Sequence, residues 1–432
     1  MRYVSTRDRA AIASLEDAIG AGLAPDGGLY MPDPLPTFGP GDFADVRTPQ
    51  AVTERLLVPF FACTSLQTSL QAICAEALAQ PLPMRALGTP GDHLLELFHG
   101  PTLAFKDIGA RFLAATLARL RPATAAPLTI LVATSGDTGA AVAAAFHRRA
   151  GFRVVILYPQ GGVSPRQAHQ LGAFGDNVLA LRVSGAFDDC QRMVKSALLD
   201  RSLGLPLRSA NSISLGRLLP QMGYYAWAAL EHLRASARPL SFIVPTGNLG
   251  NALACVLARR AGLPIDAIVL ATNANDALPR FLAGSGYAPR PSVPTLANAM
   301  DVGAPSNFER LRWLYGDDDT LRRELHAFAV DDDAIRDVLR RSAAQPGAPP
   351  CPHTATALHV LARLRARGDT RDYAVVATAH AAKFAELIEP LIGRALGTPA
   401  PLQRLLSRAA SSEPLAADEA ALKARLLRLD AT

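Results

Sequence analysis

The nine residues from His99 to Asp107, His-Gly-Pro-Thr-Leu-Ala-Phe-Lys-Asp, set one lysine in an apolar stretch where a Gly-Pro loop gives way to a helical pattern. Lys106 stands among Phe98, Leu103, Ala104 and Phe105, which solvate an ammonium poorly. Desolvation favours the neutral amine, and a neutral amine can attack a carbonyl to form a Schiff base. The same local sequence also fits a lysine snorkelling to the surface beside Asp107. Its role therefore depends on whether the rest of the chain builds a pocket around it.

Four other segments carry groups suited to one. Thr134-Ser-Gly-Asp-Thr-Gly139 falls between a strand pattern and a helix pattern, where glycines allow a tight turn and a helix start offers free N–H groups to an anion. Its Gly-x-x-Gly spacing and the absence of an acid after the next strand, at Leu157-Tyr158-Pro159, argue against a dinucleotide turn. Ser135 and Thr138 could instead hold the carboxylate of an amino-acid substrate. Pro245-Thr-Gly-Asn-Leu-Gly-Asn251 repeats the strand-loop-helix pattern without lysine, so it is no Walker loop. Successive amides across Gly247, Asn248, Leu249, Gly250 and Asn251 could form a nest for a permanently bound phosphate; the segment also reads as a plain tight turn. Thr378 ends the apolar run Val375-Val-Ala377 at the expected carboxyl edge of a sheet, where its hydroxyl could face a heteroaromatic nitrogen. Lys383 would follow in the first helical turn and reach an anion, although an N-cap threonine and a surface lysine fit equally. In Asn211-Ser-Ile-Ser-Leu-Gly-Arg217, the groups of Asn211, Ser214 and Arg217 fall near one face of a turn. Arg217 could clamp a phosphate or carboxylate in bidentate fashion, or be an ordinary helix arginine. Together, a Schiff-base lysine, a phosphate nest, a hydroxyl for a ring nitrogen and a carboxylate loop are the parts of a pyridoxal 5′-phosphate site.

The elements that must position these groups are α/β. Apolar runs Leu128–Ala133, Phe152–Leu157, Asn177–Val183, Leu240–Val244, Ala267–Leu270 and Tyr373–Ala377 predict strands. Between them, Gly139–Ala150, Phe187–Leu199 and Ala252–Ala261 predict helices, with another beginning near Ala382. Repeated βα alternation predicts two parallel sheets covered by helices. Residues 1–90 read as a small loop-rich N-terminal domain, 91–225 as a small α/β domain carrying Lys106, and 226–432 as a large α/β domain with the glycine-rich loop and a C-terminal tail. One late amphipathic helix is expected near Ala417–Leu429. The acidic triplets Asp317–Asp319 and Asp331–Asp333 fit helix caps and solvated turns better than a metal site.

Bulk properties agree with a folded enzyme. The chain has 432 residues, 49% hydrophobic and 19% charged, a composition that buries a large core. Its net charge of +6 comes from scattered arginines, which suits an anionic small substrate and gives no reason to expect nucleic acid. The five cysteines show neither a disulfide framework nor metal-ligand spacing, so no metal is expected and a reducing cytoplasm fits. No long uninterrupted apolar stretch predicts a membrane span, and no signal peptide is apparent at the start.

These motifs resemble the threonine synthase family, within the fold-type II (tryptophan-synthase β-like) pyridoxal-phosphate enzymes. The resemblance rests on Pro25–Tyr30, Phe98–Asp107, Thr134–Gly139, Asn211–Arg217, Gly247–Asn251, Met300–Arg310, Pro352–Ala355 and Thr378–Phe384, in family order along nearly the whole chain. Leu249 departs from a frequent Phe and Ala381 from a frequent Pro. The resemblance implies two open parallel-sheet domains flanking the cofactor, with Lys106 bonded to it. It places Gly247–Asn251 on the cofactor phosphate, Thr378 opposite the pyridine nitrogen and Asp137 near the phenolic oxygen. It places Ser135 and Thr138 toward the substrate carboxylate. The implied reaction converts O-phospho-L-homoserine and water into L-threonine and phosphate, with Lys106 abstracting the Cα proton, in a monomer or homodimer. Two phosphates must then be held, and Arg217, Lys383 and Arg111 are the cations for the second, in that order. A serine or threonine dehydratase of the same fold would share Lys106 and the nest but need no second phosphate site.

Overall fold

A computed structural model describes residues 1–122, 124–344 and 347–430. Three sheets organise them. Leu128–Ala133 and Phe152–Pro159 are runs buried along almost their whole length, and such runs need a cover on both faces, which parallel strands with crossover helices provide. They form the middle of a five-stranded, all-parallel sheet in the order Glu413–Ala416, Val178–Ser184, Phe152–Pro159, Leu128–Ala133, Leu207–Ser209. The second sheet has six strands in the order His326–Ala329, Ile265–Thr272, Leu240–Pro245, Tyr373–Ala377, Asp92–Glu96, Met84–Ala86. All are parallel except the edge strand Met84–Ala86.

Most expected elements appear within a few residues of their predicted ends. Phe187–Leu199 and Tyr373–Ala377 coincide with prediction, whereas the helix expected over Gly139–Ala150 is Asp137–Phe146. The helix expected from Ala382 is a 3₁₀ turn over Ala381–Phe384 followed by an α-helix over Ala385–Ile392. The acidic triplets act as caps: Asp317 and Asp331 each accept a backbone N–H three residues on.

Two features differ from the linear reading. The N-terminal segment is less loop-rich than expected. It contains an antiparallel sheet of Ile12–Ala13, Arg2–Ser5 and Tyr30–Asp33, and helices at Leu15–Ala21, Pro49–Phe61 and Leu70–Ala77. Pro59 punctuates the apolar pattern Val52, Leu56, Leu57, Phe60 and Phe61, yet it sits in a helix whose buried face those residues form. The sheets also interleave along the chain. Asp92–Glu96 pairs with Tyr373–Ala377 in the six-stranded sheet, while Glu413–Ala416 pairs with Leu181–Ser184 in the five-stranded one.

Two helices carry the cleft residues from opposite directions. Lys106–Leu120 and Leu215–Ser236 cross closely because Gly109 has no side chain: a Cβ there would lie 2.9 Å from the Arg217 carbonyl oxygen. Gly109→Ala is expected to force this crossing apart and to cost about 1–3 kcal/mol, the usual penalty of overpacking. Urea unfolding should show a lower midpoint at unchanged slope, and an unshifted midpoint would contradict the tight crossing.

Candidate active site

The loops that leave Leu128–Ala133, Leu240–Pro245 and Tyr373–Ala377 line one cleft of about 390 Å³. This is the carboxyl edge of both parallel sheets, where α/β folds bind ligands. Lys106 lies in it, at the first position of its helix. The preceding residues fix it there by backbone bonds. Phe105 donates its N–H to the Thr378 carbonyl at 2.8 Å, and His380 donates to the Leu103 carbonyl at 3.1 Å. Lys106 and Thr378 are thereby set at adjoining edges of the same cleft.

Burial, opposed by Asp137 and assisted by the charges of Arg217 and Lys383, lowers the Lys106 ammonium from 10.5 to about 8. The neutral fraction at neutral pH is therefore about a tenth, far above that of an ordinary lysine, in the direction that the apolar flank predicts.

Asp137, at the start of the helix Asp137–Phe146, accepts hydrogen bonds on Oδ1 from Lys383 Nζ at 2.6 Å and from Gln167 Nε2 at 3.1 Å. Burial alone would raise its pKa, but Lys383, Lys106 and His353 outweigh that and hold the carboxyl well below the usual range. Lys383 is fully buried and also donates to the Thr102 carbonyl at 2.8 Å. It lies behind Asp137 rather than on the cleft wall, so the structure does not present it to a ligand. Ala381 does not loosen it: His380 accepts the Ala382 N–H and caps the 3₁₀ turn.

The two loops supply anion sites of different kinds. Among the described residues, the five consecutive N–H groups from Gly247 to Asn251 have no protein acceptor. Leu249 reaches the required turn with φ +63°, and its side chain is buried, so its departure from Phe leaves the amides in place. Asn248 braces the loop by donating to Ser212 Oγ at 2.7 Å and accepting from Asn307 Nδ2 at 2.9 Å. In the other loop, buried Thr134 Oγ1 accepts from Gly136 and Gly139, while the N–H groups of Ser135, Asp137 and Thr138 have no protein acceptor among the described residues. Ser135 and Thr138 line the cleft.

Arg217 is 2% exposed and, among the described residues, pairs with no carboxylate. Its Nη1 donates to the Ala210 carbonyl at 2.7 Å, its Nε is unpartnered, and burial pushes it down to about 10. Asn211 lines the same wall with Oδ1 unpartnered. Ser214 Oγ is also unpartnered but lies behind the wall, at the start of Leu215–Ser236. Arg111 donates to Gln80 Oε1 at 2.8 Å, outside the cleft.

Sequence reasoning assigns nothing to His353 or Gln167, since single polar residues at helix starts resemble ordinary core residues. His353 lines the cleft, and its Nε2 accepts the Ala299 N–H at 3.1 Å, which leaves the proton on Nδ1. Burial holds this imidazole neutral, at about 4. Gln167 accepts from Asn298 while donating to Asp137, and so ties the opposite walls.

These donors suit pyridoxal phosphate. Free amides, an amine of lowered pKa and a hydroxyl at the far end meet a phosphate, a carbonyl and a ring nitrogen respectively.

The pKa of Lys106 makes two outcomes measurable. Cofactor attachment to the apoprotein is expected to accelerate about a midpoint near 8 rather than 10.5. In Arg217→Gln that midpoint should rise, because a neighbouring positive charge is gone; rapid-mixing absorbance over a pH series tests both. Separately, Lys383→Met strands the Asp137 carboxylate and is expected to cost about 3 kcal/mol, with less lost in the Asp137→Asn/Lys383→Met double variant. A double-variant loss in urea unfolding equal to the sum of the two single-variant losses would mean that the pair is not coupled.

Comparison with known proteins agrees with this chemistry. A model described as "Pyridoxal-phosphate dependent enzyme" matches residues 86–381, "Threonine synthase N terminus" matches 2–78, and "Threonine synthase, C-terminal" matches 354–425. Threonine synthase from Serratia marcescens is 40% identical over 403 residues, 92% of each chain. The crystal structure of threonine synthase from Escherichia coli superposes with a TM-score of 0.90 at 36% identity, covering 99% of this chain and 100% of that one. A structure of pyridoxal-phosphate-bound threonine synthase from Brucella melitensis also gives 0.90, at 34% identity and full coverage of both chains. With a lysine, two anion loops and an unpaired buried arginine around one cleft, and relatives alike over its whole length, this chain belongs to the threonine synthase family of pyridoxal-phosphate dependent enzymes.

Proposed function

We propose that this chain converts O-phospho-L-homoserine and water into L-threonine and inorganic phosphate. One observation carries the choice of substrate: the cleft offers two separate places for phosphate. The amide nest of Gly247–Asn251 is neutral and suits a cofactor that stays. Arg217, a buried guanidinium without a carboxylate, suits a second phosphate that arrives with the substrate and leaves as product. A dehydratase acting on serine or threonine has no use for the second.

The cofactor, when bound, supplies an electron sink for the carbon centres next to the substrate amino group. Lys106 would hold it through Nζ, Gly247–Asn251 its phosphate, and Thr378 and Asp137 its ring substituents. Ser135 and Thr138, with the free N–H groups of their loop, bind the substrate carboxylate and so turn the Cα–H bond toward Lys106. Lys106 Nζ, neutral in part at physiological pH, takes the Cα proton; the same ammonium then stands beside the substrate as a proton donor. Arg217 binds the γ-phosphate and stabilises the charge that builds as its C–O bond breaks. Asn211 lies beside Arg217 and orients the same group. A hydroxyl at Thr378, in place of a carboxylate, would give the ring nitrogen of a bound cofactor no charged partner, which would restrain transamination.

Purified protein given phosphohomoserine should release threonine and phosphate in equal amounts. Lys106→Ala should lack the visible absorbance of bound cofactor and lose about 10²–10⁴-fold in rate, the usual worth of a positioned proton-transfer group. Deamination of threonine as the main reaction would overturn the assignment. So would an Arg217→Ala variant that binds the cofactor more weakly yet keeps its KM for phosphohomoserine.

A further inference from the structure

The chain contains only four lysines, Lys106, Lys195, Lys383 and Lys423, among 44 basic residues. Almost every other cation is arginine, so a lysine marks a position where a compact ammonium on a flexible stem differs usefully from a planar guanidinium. Lys423 pairs with Asp200 at 2.7 Å. Lys106 and Lys383 belong to the site already described. Lys195 also lines the cleft, is exposed, and has no partner among the described residues.

We propose that Lys195 is the second cation for the substrate's phosphate, acting with Arg217. This rests on phosphohomoserine being the substrate. A phosphate monoester carries a charge of about −1.5 to −2 near neutrality, more than one guanidinium neutralises. The other cations nearby are committed. Lys383 is closed off by Asp137 and Thr102. Arg7 is held by Glu309 through Nε at 3.1 Å and Nη2 at 3.2 Å. Arg111 lies outside the cleft on Gln80.

The helix bearing Lys195 is built to present it. Cys190, Met193, Val194 and Ala197 bury its inner face on the five-stranded sheet, and Arg192 pairs with Glu419 at 2.9 Å. The helix is thereby fixed, while Gln191 and Lys195, one turn apart, face the cleft. The two cations divide the task. Arg217 is buried and stationary, whereas the Lys195 ammonium reaches from solvent, meets the incoming dianion and follows the departing phosphate out.

Lys195→Gln in the holoenzyme tests this. The KM for phosphohomoserine should rise about 10-fold, the worth of one charge-assisted hydrogen bond, and the inhibition constant of inorganic phosphate should rise by a similar factor. Cofactor absorbance and the binding of L-threonine, which has no phosphate, should stay within twofold of the parent. A KM rise below threefold, or an equal loss of threonine binding, overturns the role of Lys195. Failure of the unmodified enzyme to use phosphohomoserine would instead overturn the substrate assignment.

Discussion

The buried pair of Lys383 and Asp137 is the interaction on which the cleft depends. Asp137 starts a helix above the five-stranded sheet, and Lys383 follows the strand Tyr373–Ala377 of the six-stranded one, so the pair joins the two halves across the cleft floor. Neighbouring bonds reinforce it: Arg166 Nη1 donates to the Ala382 carbonyl at 2.7 Å, and Ser164 Oγ to the Lys383 carbonyl at 3.3 Å. An ion pair this dry is costly to assemble from water and costly to break. It also sets the charge felt by Lys106. Burial lowers the Lys106 ammonium most, Asp137 opposes that, and Arg217 and Lys383 add to it, so the pKa falls to about 8.

Around that pair the cleft holds more positive charge than its own acids match. Among the described residues, Arg217 pairs with no carboxylate, Lys195 has no partner, and the loop amides from Gly247 to Asn251 have no protein acceptor. Such an arrangement is unfavourable in the empty protein and becomes favourable when anions enter. Binding energy from phosphate and carboxylate groups remote from the reacting carbons is then available to align the Cα–H bond with Lys106.

Much of the site was legible in sequence because backbone chemistry leaves local signatures. The glycine-rich loops at Thr134–Gly139 and Gly247–Asn251 follow strands that are continuous apolar runs, and both loops line the cleft. What escaped was decided by partners far along the chain. Lys383 looks like a free cation at the start of a helix, and only folding places Asp137 and the Thr102 carbonyl against it. Lys195 looks like a solvated residue of an amphipathic helix until the five-stranded sheet turns its face toward the cleft. Helix Pro49–Phe61 runs through Pro59, whose usual meaning as a breaker is overridden by the packing of Leu56, Leu57, Phe60 and Phe61. The sheet membership of Asp92–Glu96 and Glu413–Ala416 was illegible for the same reason, since pairing between distant strands has no local pattern.

The strand Glu413–Ala416 has a consequence for how the molecule comes into being. It completes the five-stranded sheet by covering the edge of Val178–Ser184, and the helix Glu419–Asp430 then ties down through Glu419 to Arg192. A nascent chain emerging from the ribosome has every other strand of that sheet available long before this one. Until Glu413–Ala416 pairs, Val178–Ser184 presents an open hydrogen-bonding edge, the feature by which growing chains recruit one another. Pairing of Glu413–Ala416 is therefore what hides that edge, and a chain that failed to form it would keep all the residues that line the cleft and carry an unprotected, adhesive flank.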